Sequence, residues 1–246
     1  MSVPPRTPAK LNPQFDCQGL WNFEGNLLDT SGLAPAADLT DRGGISPSFS
    51  YSQDYTGAKC LMSRGVNRGL ESAAGIARLQ LTGDVTIQSV VWFPTFGFDS
   101  FGVNLMNFEG TAGGSNPADN NIYAILVDGN NANRMCPRMT WEAAAGGSFF
   151  SVIDTDFTLD NGRWYHIVGV RDGTDARLYV NGALVKAESS VTATGGGTNS
   201  RVRIGEGTTV VQGLAEGTLI SSAKISNRAL TAGEIAQEFN RVRGAV

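Results

Sequence analysis

Few side chains in this sequence could do chemistry. The single histidine, His166, sits in the run Trp164-Tyr-His-Ile-Val-Gly-Val170. Strand alternation puts it on the face of Trp164, Val168 and Val170, the setting of a packed histidine whose ring nitrogens are bonded locally. Any Ser-His-Asp or Cys-His arrangement has this one base to draw on, and zinc ligation by several histidines is excluded by count. Asp154, Asp156 and Asp160 form the nearest acidic cluster, but they follow the apolar run 149–153 and lead into the turn at Asn161-Gly162. A retaining glycosidase holds two carboxyl groups about 5–5.5 Å apart across one cleft. Carboxylates flanking a turn serve instead as solvated groups or acceptors for backbone amides. No catalytic residue is assigned, and the chain is expected not to be an enzyme.

Two segments are rich in side-chain oxygen. Asn116, Asp119, Asn120 and Asn121 form one, and Asp128, Asn130 and Asn131 the other. Both suit rim loops that hydrogen-bond a ligand, and both read equally as ordinary turns. With Trp141 as an apolar platform for a sugar ring, they are the candidate ligand-binding residues. Tyr123 and Phe150 share that chemistry, although aromatics on strands usually pack in a core. No metal or other cofactor is assigned. Such oxygen donors are of the kind a calcium ion takes. Phe93, Phe96, Phe98 and Phe101 fall in a segment broken by Pro94 and Gly97 where no single strand could bury all four, so part of it, with Phe96, Phe98 and Phe101, is expected to face a neighbouring molecule. Pro4, Pro5 and Pro8 of the proline-rich opening are expected to be partner contacts as well.

The charge balance is 19 basic against 23 acidic residues, a net of −4 with no Lys/Arg run, so nucleic acid is not an expected partner. No window is apolar for the roughly 18 residues of a membrane-spanning helix, so no membrane insertion is expected. Three distant cysteines, Cys17, Cys60 and Cys136, write neither a disulfide framework nor a CxxC metal site. Residues 1–15 lack the apolar run of an export signal, so synthesis in a cytoplasm is expected.

These residues must be carried by strands. Residues 1–18 read as an extended arm, and residues 19–246 as one domain of short β-branched and aromatic runs separated by Gly, Asn, Asp and Ser. Candidate strands are 20–23, 48–51, 85–93, 102–108, 122–127, 138–141, 149–153, 164–171, 176–180, 201–204 and 218–225. Asp172-Gly173 and Asn181-Gly182 supply the positive φ angles of tight hairpins and so define a three-strand meander. Thr231-Ala-Gly-Glu234 has the spacing of a capping box, and Ile235, Phe239 and Val242 give the following helix one apolar stripe. Residues 71–78 are expected to make a single helical turn, interrupted at Gly75. The fold class is all-β: a two-sheet antiparallel sandwich with a short C-terminal helix and an N-terminal arm.

Three stretches resemble the concanavalin A-like, laminin G-like (pentraxin-type) jelly-roll family. They are Leu20-Trp-Asn-Phe-Glu-Gly-Asn-Leu-Leu-Asp-Thr-Ser-Gly32, the hairpin from Trp164 through Asp172-Gly173 to Asn181-Gly182, and Asn227-Arg-Ala-Leu-Thr231 with Glu234-Ile235. Thr86-Ile87 matches less well, because Val90 stands where the family usually has a tryptophan and Trp92 comes two residues later. The resemblance implies a jelly roll that recognises carbohydrate, lipid or protein at rim loops or on its concave face. Family glucanases place three acids at near-alternate positions on one strand, a pattern missing here. Calcium-binding members usually carry an acidic pair where this chain has Ser221-Ser222. The function expected is a structural or adhesive subunit of a larger assembly, a bacteriophage virion protein such as a capsid decoration or fibre. It would be homo-oligomeric, contacting other subunits or surface glycans. The alternative is a free-standing, extracellular carbohydrate-binding lectin.

Overall fold

In the computed structural model, residues 6–41, 49–54, 57–65, 69–81, 83–94, 103–109, 121–131, 134–142, 149–153, 157–189, 201–205 and 214–243 are described. Two antiparallel sheets of eight and seven strands, numbered in chain order, pack face to face. The first runs β13 (Ala183–Glu188), β12 (Asp175–Val180), β11 (Trp164–Asp172), β6 (Val85–Trp92), β15 (Leu219–Ser226), β4 (Lys59–Ser63) and β3 (Phe49–Gln53). Strand β1 (Cys17–Trp21) joins it by pairing with residues 223–226 of β15. The second sheet runs β10 (Phe149–Ile153), β9 (Arg134–Glu142), β8 (Asn121–Asn131), β7 (Val103–Glu109), β14 (Arg201–Ile204), β5 (Leu70–Ser72) and β2 (Leu39–Asp41). This is the jelly-roll sandwich expected from the sequence.

Alternation along each strand builds the core. In the second sheet Val152, Met139, Ile125, Met106, Ile204 and Leu70 fall in one transverse register row, and all six are buried between the sheets. Ile87, Val91, Ile167, Leu178, Ala223 and Ile225 face them from the first sheet. The sheets pack tightly at Gly169, where a Cβ would lie 2.7 Å from Met139 Sδ and 3.0 Å from Ile125 Cγ2.

Strand β6 is buried on both sides, because its outward residues lie beneath the arm and helix α1 (Ala232–Arg243). Thr231 and Glu234 form the expected capping box, with Glu234 N donating to Thr231 Oγ1 at 3.3 Å and Thr231 N to Glu234 Oε2 at 2.9 Å. Arg228 clasps the same carboxylate, and its hydrogen bonds hold Glu234 down to about 2. Ile235 and Val242 are buried, and Phe239 packs against the cluster that holds Val242.

Four expectations change. The loop at Gly173 is Gly173-Thr174, closed by the Asp172–Asp175 pair, and only Gly173 takes a positive φ (58°). At Asn181-Gly182 both residues do, at 52° and 78°. Residues 71–78 split into the end of β5, a turn at Gly75 and a 3-10 turn at Ala77–Leu79, because Glu71 and Ser72 are taken up by pairing with Thr40 and Leu39. The Asp128–Asn131 segment continues β8 and pairs back at Asn131–Arg134, so ladder hydrogen bonds override its turn-like composition. The sheet also begins at Cys17, two residues inside the expected arm.

Candidate functional site

The side of the second sheet turned away from the core carries a row of polar residues. One residue along from the core row, register places Thr40, Glu71, Arg203, Asn107, Ala124, Thr140 and Ser151 side by side across seven strands. Arg201 joins this face, its Nη1 3.0 Å from Glu71 Oε1, while Arg203 Nε approaches Glu71 Oε2 at 3.5 Å. Asn107 and Thr140 are only 5% exposed. Arg138, two residues from Thr140, shares the face by alternation. Arg201, Arg203 and Glu71 keep part of their guanidinium and carboxylate surface exposed, with the Asn107 amide and Thr140 hydroxyl buried beside them, a donor and acceptor array of the kind that holds a polar ligand.

Alternation also fixes the chemistry on the outer face of the first sheet. His166 is 1% exposed, and its Nε2 lies 2.9 Å from Gln88 Oε1, while Nδ1 has no partner. Burial, then the charges of Lys224 and Arg241, lower it to about 3. It is neutral at physiological pH and far too weak a base for proton transfer there. Local bonding therefore meets only one of its two nitrogens. Beside it Lys224 and Glu238, both essentially buried, form a 2.7 Å ion pair that Arg241 extends. This polar seam separates two apolar clusters, Leu11, Cys17, Leu20, Val90 and Val242 on one side and Val168, Val170, Tyr179, Leu230 and Ile235 on the other.

The arm crosses this face. Thr7 N donates to Asp54 Oδ2 at 2.7 Å, Leu11 N to Ser222 Oγ at 3.4 Å, and Lys10 Nζ to the carbonyls of Lys59 and Ser221. Pro8 is buried within this stretch of the arm. Ser221 and Ser222 are buried, with the Lys10 ammonium 3.2 Å from the Ser221 carbonyl. No three His, Cys, Asp or Glu side chains cluster for a metal among the described residues.

Of the residues singled out from sequence, Asn116, Asp119, Asn120, Asp154, Asp156, Pro4, Pro5, Phe96, Phe98 and Phe101 lie outside the described residues. Asn121, Asp128, Asn130 and Asn131 have backbone positions in β8. Trp141 has its backbone position in β9, paired with Tyr123 of β8 and Phe150 of β10. Tyr123 is itself buried, donates from its hydroxyl to the Leu79 carbonyl at 2.9 Å and stacks on Phe108 at 5.0 Å. It is a core aromatic, not a sugar platform. Sequence reasoning missed the row from Thr40 to Thr140. Its one visible trace was the alternation Arg201-Val-Arg-Ile204, which sends two guanidinium groups to one face.

Comparison with known proteins supports the architecture. Domain 4 of AbnA, an extracellular arabinanase of Geobacillus stearothermophilus solved with arabinotriose, superposes with a TM-score of 0.63 at 17% identity, covering 94% of this chain and 98% of that one. The binding domain of botulinum neurotoxin serotype G superposes at 0.67 and 14% identity, covering 91% of this chain, which spans half the length of that domain. A Trypanosoma rangeli sialidase in complex with the inhibitor DANA gives 0.61 at 15% identity, over 90% of this chain and 32% of the enzyme. At such identities the likeness is one of fold. No curated protein matches by sequence. The family profile of the concanavalin A-like lectin/glucanases superfamily does match, over residues 68–236, and its span takes in the core rows, the outward polar row from Glu71 to Ser151 and the capping box of α1: the chain belongs to that superfamily.

Proposed function

We propose that this chain is a non-catalytic, lectin-like module that holds a glycan on the outward face of its second sheet. The observation that carries the reading is the register row in which Glu71, Arg203, Asn107 and Thr140 line up across neighbouring strands with Arg201 beside them. Such an array offers paired donors and acceptors to adjacent hydroxyls without aligning a general acid with a nucleophile. Arabinotriose in the arabinanase domain makes short arabinose oligosaccharides sensible first probes. A glycan array with and without chelator, repeated on Asn107→Ala and Arg203→Ala, tests it. Binding of one sugar class that survives chelator and falls about tenfold or more in each variant is expected, as for loss of one or two good hydrogen bonds. Silence across the array sinks the glycan reading.

As the finer reading, we propose that the module serves as a subunit of a larger assembly, a bacteriophage particle put together in a host cytoplasm. Its support is that Cys17, Cys60 and Cys136 are all buried with no disulfide among them, as suits a protein matured in a reducing compartment. Light scattering at micromolar concentration reads this directly: a homo-oligomer is expected, and a strict monomer counts against it.

A further inference from the structure

A second concave site lies on the opposite side of the molecule, where the arm enters and α1 ends. Here the outer face of the first sheet opens into a cavity of about 390 Å3. Its walls are apolar: Val90 from β6, Trp164 from β11, Phe239 and Val242 from α1, and Pro8 from the arm. The Phe239 ring lies nearly parallel to that of His166, at 4° with centroids 6.4 Å apart.

The polar groups around this cavity share one character. Three exposed arginines from three separate parts of the chain line it: Arg6 of the arm, Arg163 just before β11, and Arg243 at the end of α1. Arg163 has a solvent-exposed ion pair with Asp160 at 3.2 Å, whereas Arg6 and Arg243 have no partner among the described residues. No acidic side chain is among the lining residues. The Trp164 indole N–H is buried without an acceptor, and His166, itself 1% exposed, lines the cavity with Nδ1 unpartnered. Cavities left by imperfect packing are dry and lined by hydrocarbon. An apolar pocket edged by guanidinium groups instead matches a ligand with a flat greasy body and an ionised end.

We propose that this cavity binds a small aromatic anion, its ring system lying against Trp164 and Phe239 and its carboxylate or phosphate held by Arg6, Arg163 and Arg243. The site is independent of the glycan-binding row, which lies on the other sheet.

The test uses the full chain and three probes of one shape: 2-naphthoate, 2-naphthyl phosphate and the neutral 2-naphthalenemethanol. Calorimetry gives affinities. NMR of the ring signals of His166, the only histidine in the sequence, reports whether binding is at this cavity. At least one anion is expected to bind and shift the His166 signals, with the alcohol about tenfold or more weaker, and the preferred anion identifies the acid group. Arg163→Gln and Arg243→Gln, both at exposed positions, should each weaken the anion about tenfold while leaving the thermal melt unchanged. Equal affinity for the alcohol, indifference to both arginine variants, or no His166 shift at millimolar probe would each overturn the proposal.

Discussion

Lys224 and Glu238 show how a single residue is tolerated far from water. Each ion loses its hydration, and the 2.7 Å contact, extended by Arg241 on the second carboxylate oxygen, compensates. Glu238→Gln leaves a buried ammonium without its counter-ion and should cost roughly 3–5 kcal/mol in urea unfolding. Lys224→Met combined with Glu238→Leu should recover most of that loss, which a simple packing role for Glu238 would not allow. His166 adds a pH dependence. Its folded value, about 3, lies below the ordinary 6.5, so the unfolded chain binds the extra proton between these limits. Its neutral burial is therefore fully compatible with the fold above pH 6.5, and stability falls as pH drops from 6.5 towards 3. Unfolding free energies at pH 7 and 4.5 should differ by about 2–3 kcal/mol more in the native chain than in His166→Leu. Equal slopes would show that the imidazole titrates freely.

At the scale of elements, α1 and the β12–β13 hairpin brace each other. Gly182 holds a φ of 78° in the turn, and a Cβ there would reach Phe239 Cδ1 at 3.0 Å. Gly173, in the preceding hairpin, has a φ of 58° with open space around its Cβ position. Gly173→Ala should therefore show backbone strain alone, about 1 kcal/mol, while Gly182→Ala should lose more and expose α1 amides to hydrogen exchange. Identical losses with unchanged exchange would mean the helix does not lean on the turn. Entry into α1 is fixed by Thr86, whose hydroxyl donates to the Arg228 carbonyl at 2.8 Å and accepts from Leu230 N at 2.9 Å. The elements best read from sequence were those with dense local signals: β10 and β14 at their observed limits, the Asn181-Gly182 turn and the capping box of α1. Strands β2, β4 and β5, reading Leu-Thr-Asp, Lys-Cys-Leu-Met-Ser and Leu-Glu-Ser, are nearly free of β-branched and aromatic residues. They are strands because a neighbour's edge needs partners.

Across the whole molecule, one tight contact between the two sheets lies where β11 passes over β8 and β9 at Gly169. Gly169→Ala should force Met139 and Ile125 aside and cost about 1–3 kcal/mol, the usual penalty of overpacking, with a lower urea midpoint and an unchanged slope. A neutral result would mean the interface yields freely. The outward polar row and the arginine-edged cavity are whole-molecule features too, and neither was legible beforehand. Glu71, Asn107, Thr140 and Arg203 become neighbours only through sheet register, and Arg6, Arg163 and Arg243 only because arm, strand and helix finish at one corner. Lys10, likewise, takes the place beside Ser221 from 211 positions away in the chain. What the sequence determined by itself was the layered all-β architecture, its best hairpin and its closing helix, because alternation, turn chemistry and capping act between residues a few positions apart. Where a ligand can sit was decided by the tertiary structure alone, since strand order and register choose which distant side chains share a face, and no local pattern encodes that choice.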